Sequence, residues 1–307
     1  LDWLLLIEQT FNGLQLGVML FLMAAGLTLV FGIMDLVNLA HGSLFMIGAY
    51  IAVTLIDWTG SFWLGVLLAL PATALVGMVV EVVVLRSLYA RDHLDQVLAT
   101  FGLILFFNEL ISLIWGRAPI FAGLPDALKG QVEILPGAPY PAFRLAIIVV
   151  GLVVALLIYL IVAKTRLGMQ IRAGASNREM AGALGVDIKR LFTLVFGLGA
   201  AFAGLAGMMT GPITNVQPGM GEPVLINAFV VIIIGGIGSI RGAFIASALV
   251  GLVDTMGRAF LPAMLRSLLD PATADGVGPA LASMLIYILM AAVLFFRPQG
   301  LFPARTG

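Results

Sequence analysis

Five stretches of this chain run for about twenty residues or more without a charged side chain: 9–34, 58–80, 145–163, 191–221 and 276–296. A helix crossing ~30 Å of hydrocarbon needs about 20 mostly apolar residues, because lipid offers the backbone no hydrogen-bond partner and every amide must be satisfied within the segment. Four weaker candidates lie between them: 42–56, 94–116 (interrupted by Glu109), 223–240, and 242–260 (interrupted by Asp254). The pattern predicts an all-α, polytopic transmembrane helical bundle of about eight to nine spans or partial spans. It forms one membrane domain over residues 1–307, with lipid bilayer as its solvent.

The polar residues are too few for another solution. Only 10% of the side chains are charged, against roughly 25% in soluble domains. Basic and acidic residues balance at sixteen each, so no basic face exists for nucleic acid. The chain has no cysteine, and its two histidines, His41 and His93, lie in unrelated segments. Disulfide, thiolate and Cys/His metal chemistry therefore lack ligands. No Gly-Lys pair occurs, so the phosphate-cradling loop is missing, and no nucleophile and base stand at a useful spacing. These absences predict a transport component rather than an enzyme, with no cofactor of its own. The opening Leu1-Asp2 has no basic segment before the first apolar run, unlike a cleaved signal peptide.

Orientation follows the basic residues. With the N-terminus outside and the C-terminus inside, eleven fall in the cytoplasm: Arg86, Arg91, Lys164, Arg166, Arg172, Arg178, Lys189, Arg190, Arg241, Arg297 and Arg305. Five fall outside: Arg117, Lys129, Arg144, Arg258 and Arg266. The external loop 117–144 carries Pro119, Pro125, Pro136, Pro139 and Pro141, which predicts irregular backbone with little helix, either a connector or part of a docking face.

The cytoplasmic loop 164–190 holds a helix-start signal. Ser176-Asn177-Arg178-Glu179 has the capping-box pattern, which predicts a helix from Asn177 of about two turns, ~12 Å. Met180, Ala183 and Leu184 share one apolar face, and Gly185 suits a left-handed stop. So short a helix is marginal alone in water. Its apolar stripe fits either a groove on a partner protein or the bilayer surface. Arg172-Ala173 and the following stretch, with Glu179, Ala181 and Gly185, resemble the EAA loop of ABC importer permeases. That resemblance implies a coupling helix seated in a cleft of an ATPase subunit.

Two segments interrupt the apolar runs: Asp35 to Ser43, containing Asn38, His41 and Gly42, and Gly235 to Gly242, containing Gly236 and Gly238. Non-helical backbone at membrane depth survives only where protein or a watery cavity satisfies it, so paired breaks point to a transport path. The alternative is a pair of cytoplasmic turns, with Asn38 and His41 as caps. Gly42-Ser43 with Gly48-Ala49, set beside Gly238-Ser239 with Gly242-Ala243, hints at an internal repeat. Among ionisable residues within apolar segments, Glu81 is placed at the inner interface near Arg86, with Asp254 further along. Glu109 reads as the most deeply placed and joins the candidate path. Ala203, Gly207 and Gly211 form a small-residue face for packing within the bundle.

The stretches NLAHGSLFMIGAY (38–50) and IIIGGIGSIRGAFIASALVGLVD (232–254), with the closing RPQGLF (297–302), resemble the signatures of branched-chain amino acid permeases of the Liv type. The resemblance implies a bacterial inner-membrane subunit that pairs with a second permease. It further implies two cytoplasmic ATPase subunits, which bind ATP and Mg, and a periplasmic substrate-binding protein. Related permeases carry urea, short amides or other amino acids. An ion-coupled secondary transporter is the rival reading, with Glu109 as its coupling carboxylate.

Overall fold

Each apolar run becomes a helix, because a hydrogen-bonded helix is the one way a single segment can satisfy its backbone in lipid. The computed structural model describes residues 3–302; Arg305 lies outside them. The long helices are α1 (Trp3–Met34), α2 (His41–Thr59), α3 (Phe62–Val83), α4 (His93–Trp115), α5 (Ala142–Lys164), α8 (Ile188–Thr214), α10 (Ile240–Arg266) and α11 (Pro271–Phe296). These eight are long and apolar enough to cross a membrane. The expected ninth segment is α9 (Gly221–Gly235). Its 15 residues extend about 22 Å, short of a full crossing. Two short helices, α6 (Arg166–Ser176) and α7 (Arg178–Ala183), fill the loop between α5 and α8.

The loop 117–144 departs from its expected irregularity. It holds an antiparallel hairpin, β1 (Gln131–Leu135) with β2 (Ala138–Pro141), in which Val132 faces Tyr140. Pro139 and Pro141 are tolerated because a two-stranded hairpin leaves the outer edge of each strand free of ladder bonds. The Tyr140 hydroxyl and the Arg144 guanidinium both donate to Asn12 Oδ1, at 3.0 and 2.7 Å, fixing the hairpin against the start of α1. At the opposite end of the bundle, Gly174 of α6 lies beside Ile33, near the close of α1, and Leu191 of α8. The basic loops gather at this second end, the end that the excess of Lys and Arg predicts to be cytoplasmic.

Helix α1 is the central post, buried almost continuously from Gly17 to Val30, and α8 lies against it. Without a hydrophobic drive between helices in lipid, close backbone approach supplies the packing. A Cβ on Gly48 of α2 would lie 2.4 Å from the Gly204 Cα of α8, and one on Gly207 would run into the Phe45 carbonyl. Ala203, Gly207 and Gly211 are all buried within the chain, as packing inside one bundle requires. The faces of α4, α5 and α11 are mostly exposed.

Candidate functional site

The elbow between α5 and α8 is built from consecutive side-chain caps. Thr165 Oγ1 accepts from the Gly168 amide (3.1 Å) to start α6, and the Arg172 guanidinium donates back to the Val162 carbonyl at the end of α5. Ser176 turns out to be the last residue of α6 rather than a cap. Asn177 takes that role: its Oδ1 accepts from the Met180 amide at 2.9 Å, with the residue itself in extended conformation. The competition goes to Asn177 because the chain is still helical at Ser176, and a cap needs non-helical backbone. Glu179 stands exposed on the first turn of α7, where its charge favours the positive helix end. At the other end, Gly185 adopts φ 93°. The Val186 amide bonds Ala181 and the Gly185 amide bonds Gly182, at 3.1 and 3.0 Å, which is the Schellman pattern. Asp187 then caps α8 through the Arg190 amide.

This capping holds a six-residue helix, shorter than two turns, in a fixed pose. Ala181 faces inward and is buried, while Met180 and Leu184 are 58% and 80% exposed. Ala173 and Ala183 are exposed as well. The elbow therefore offers an apolar stripe outward from a rigid base seated on α1 and α8.

Beside it lies a buried ionic node that the sequence reading placed at a water interface. Glu81 is fully buried and accepts from Arg86 (3.1 Å), the Tyr89 hydroxyl (2.6 Å) and Thr193 Oγ1 (2.7 Å). The node joins α3, the 3-10 turn Leu85–Leu88 and the first turns of α8. The hydrogen bond to Glu81 holds the Arg86 guanidinium above its ordinary pKa. Burial, and then Glu81, raise that of the Tyr89 hydroxyl.

The first break, 35–40, packs into protein beyond the exposed Asp35. Asp35 has φ 50°, and Leu36, Asn38 and Ala40 are buried. Helix α4 satisfies the freed backbone: the Val37 amide donates to Gln96 Oε1 and the Leu39 amide to Thr100 Oγ1, both at 3.2 Å. Asn38 Oδ1 accepts from the Ala40 amide (3.0 Å), a local turn lock. His41 is completely buried beside Gly26, and neither ring nitrogen makes a hydrogen bond of ordinary geometry. Ser43 is buried in the first turn of α2. Gly42 lies against Gly221: a Cβ on Gly42 would lie 2.8 Å from the Gly221 carbonyl. The starts of α2 and α9 therefore meet.

That contact changes the pairing of the breaks. Gly235, Gly236 and Gly238 form the tight α9–α10 turn, and the chain's own C-terminal segment covers it. The Leu301 and Phe302 amides donate to the Ile234 and Gly235 carbonyls, at 2.8 and 3.0 Å. These are orphan carbonyls at the end of α9, which explains the spacing of the RPQGLF stretch. The break opposing 35–40 is instead 215–220, between α8 and α9, where Asn215 has φ 73°. One signal was available: the charge-free run 191–221 is too long for one ordinary span, and it ends in Asn215-Val216-Gln217-Pro218-Gly219.

A substitution tests the C-terminal strap. Gly300 has φ 82°, and a Cβ there would lie 2.5 Å from the Gly236 amide nitrogen. Gly300→Val adds about 1–2 kcal/mol of left-handed strain and breaks two hydrogen bonds of about 1 kcal/mol each. The expected result is a fall of several degrees in the thermal unfolding of the detergent-solubilised protein. An unchanged transition would remove the strap's role.

Glu109 does not belong with these groups. It is exposed on α4 and pairs with Arg117 (3.1 Å), which reaches back from the loop after α4. Counting from the helix end in sequence suggested depth, but the carboxylate points away from the bundle. Asp254 is buried and paired with Arg258 one turn along α10. A third acidic residue, Glu222, also bonds within the bundle; it sits between two apolar runs, so its place along the chain gives no sign of depth. Asn108 Nδ2 donates to Glu222 Oε1 at 2.6 Å, bridging α4 and the first turn of α9.

A family model described as the branched-chain amino acid transport system permease component matches residues 9–294. The chain is 30% identical to the high-affinity branched-chain amino acid transport system permease protein BraD of Pseudomonas aeruginosa, over 96% of this chain and 95% of that one. It is 30% identical to the LivH permease protein of the high-affinity branched-chain amino acid transport system of Escherichia coli K12, over 85% of this chain and 88% of the other. A probable branched-chain amino acid transport permease protein LivH of Methanocaldococcus jannaschii is also 30% identical, over 92% and 88%. No solved structure matches.

Proposed function

This chain belongs to the branched-chain amino acid transport permeases, and from that premise we propose that it is one membrane-spanning subunit of an ATP-driven importer. It is a multi-pass inner-membrane protein. Its substrates are branched-chain or related small amino acids. A second permease completes the pathway, two cytoplasmic ATPase subunits bind ATP and Mg, and a periplasmic binding protein delivers substrate. The chain itself needs no cofactor.

The observation that carries this reading is the α7 elbow. A cytoplasmic helix of six residues capped at both ends, with Met180 and Leu184 turned outward, suits insertion into a groove on another protein. Its base on α1 and α8 gives a direct route for force. Closure of the ATPases displaces α7, α8 carries the movement past the Glu81 node, and the junction of α2 and α9 at Gly42 and Gly221 opens or closes in turn. Asn38, His41, Gly42 and Ser43 lie in the moving part of that path. Gly235, Gly236 and Gly238 act as its cytoplasmic hinge. The shortness of α9 supports the same reading, since half-helices with termini inside the bundle are a recurrent way of placing backbone groups along a substrate route.

Reconstitution tests it. The chain co-expressed with a second permease and ATPases encoded beside it is expected to purify as one complex. In proteoliposomes, with the binding protein, it takes up leucine only when ATP is supplied on the ATPase side. Uptake driven by a sodium or proton gradient without ATP would instead establish the secondary-transporter reading.

A further inference from the structure

We propose that Glu222 and Asn108 form the contact for the ammonium group of the transported amino acid, a role that rests on the importer reading above. Glu222 is a carboxylate in a helix that is otherwise apolar apart from Asn227. It holds one strong hydrogen bond, from Asn108 Nδ2 to Oε1. Its second oxygen, Oε2, is buried with no partner, and so is Asn108 Oδ1. Both unmet atoms are acceptors, so one ligand that meets them both must have more than one hydrogen to give. An alkylammonium has three donors and no acceptor. It also carries the charge that complements a part-buried carboxylate with no basic partner among the described residues.

The position suits a route rather than a structural brace. Asn108 lies seven residues before the end of α4 at Trp115, about 10 Å in by helix rise. Glu222 follows Gly221, which touches Gly42, so the carboxylate lies at the junction of the two helix starts. The positive end of α9 helps hold its charge while the site is empty. Pro223 and Ile226, on the same turns of α9, are exposed, so a modest separation of the helices bares the pair. The internal ion pairs Glu81–Arg86 and Asp254–Arg258 are closed by their own basic partners; Glu222 has none among the described residues.

The test uses the whole reconstituted transporter and radiolabelled leucine. Glu222→Gln keeps the shape and one bond to Asn108 but removes the charge. Losing a charge-assisted contact of this kind predicts an uptake loss of about tenfold or more, while the complex still assembles and hydrolyses ATP. Glu222→Asp retains a substantial part of the uptake. Because this chain contains no cysteine, Glu222→Cys gives it a single thiol, which is labelled on the purified permease before the transporter is assembled. Its lost uptake should return on attaching a negatively charged methanethiosulfonate and not a positively charged one. Wild-type leucine uptake by Glu222→Gln, or equal rescue by reagents of either sign, overturns the assignment and leaves the importer reading standing. A wild-type transporter that carries no amino acid overturns both.

Discussion

Replacing Met180 and Leu184 together by glutamate strips the ATPase subunits from the permease while its membrane helices stay folded. Both side chains are exposed, so the change removes nothing from the core. The caps that hold α7 also survive, because Asn177 and Gly185 act through backbone amides and carbonyls. On a partner surface each apolar side chain contributes about 1.5–3 kcal/mol by burial, and a charge placed there adds a desolvation cost. The combined loss corresponds to at least about 100-fold in affinity. Co-purification of the ATPases and ATP-driven leucine uptake should both disappear, with the thermal transition of the isolated permease unchanged. ATPases retained in wild-type ratio would show that the outward stripe lies on lipid. Ala181→Glu is the contrasting case: Ala181 is buried, so the elbow itself should come apart.

Removing Arg86 is expected to harm this protein far more than neutralising Glu81, although the two form one ion pair. Glu81 is fully buried, whereas the Arg86 side chain is 34% exposed. Arg86→Met strands a carboxylate with only the hydroxyls of Tyr89 and Thr193 to meet it, and an uncompensated buried charge is strongly destabilising. Glu81→Gln leaves Arg86 free to turn toward water and keeps an acceptor for Tyr89. The methionine variant should unfold about 5 °C or more below wild type and the glutamine variant much closer to it. Double replacement by Met and Gln should recover most of the loss. Equal effects for the two single variants would mean that the node works as generic packing.

The candidate site was legible where its signals are local. The stop at Gly185 and the outward stripe of Met180 and Leu184 depend on residues within one or two turns, and both stand as read. The cap was misplaced by one residue because Ser176 and Asn177 are both good caps, and the choice depends on α6, a helix the sequence reading left as loop. The first break was found from its composition. Its counterpart was misassigned, because a glycine-rich turn at the end of a bundle and a break inside it look alike along the chain. Glu109 and Glu222 show the same limit in reverse: an acid in mid-segment faces outward, and an acid at a segment boundary lies within the bundle.

The sequence by itself determined the solvent and the class, and bounded the membrane segments at eight to nine, because the cost of placing a residue in lipid is set by that residue and its near neighbours; that α9 is too short for a full crossing came from the structure. It also predicts which end is cytoplasmic, through the local excess of Lys and Arg. Only the tertiary structure decided the partners. Asn108 meets Glu222 across 114 residues and Thr193 meets Glu81 across 112. In lipid such contacts are selected by close backbone approach at Gly42 and Gly221, or Gly48 and Gly204, and by the cost of leaving a buried polar atom unmet. Both are properties of pairs in space, and no periodicity along one chain encodes them.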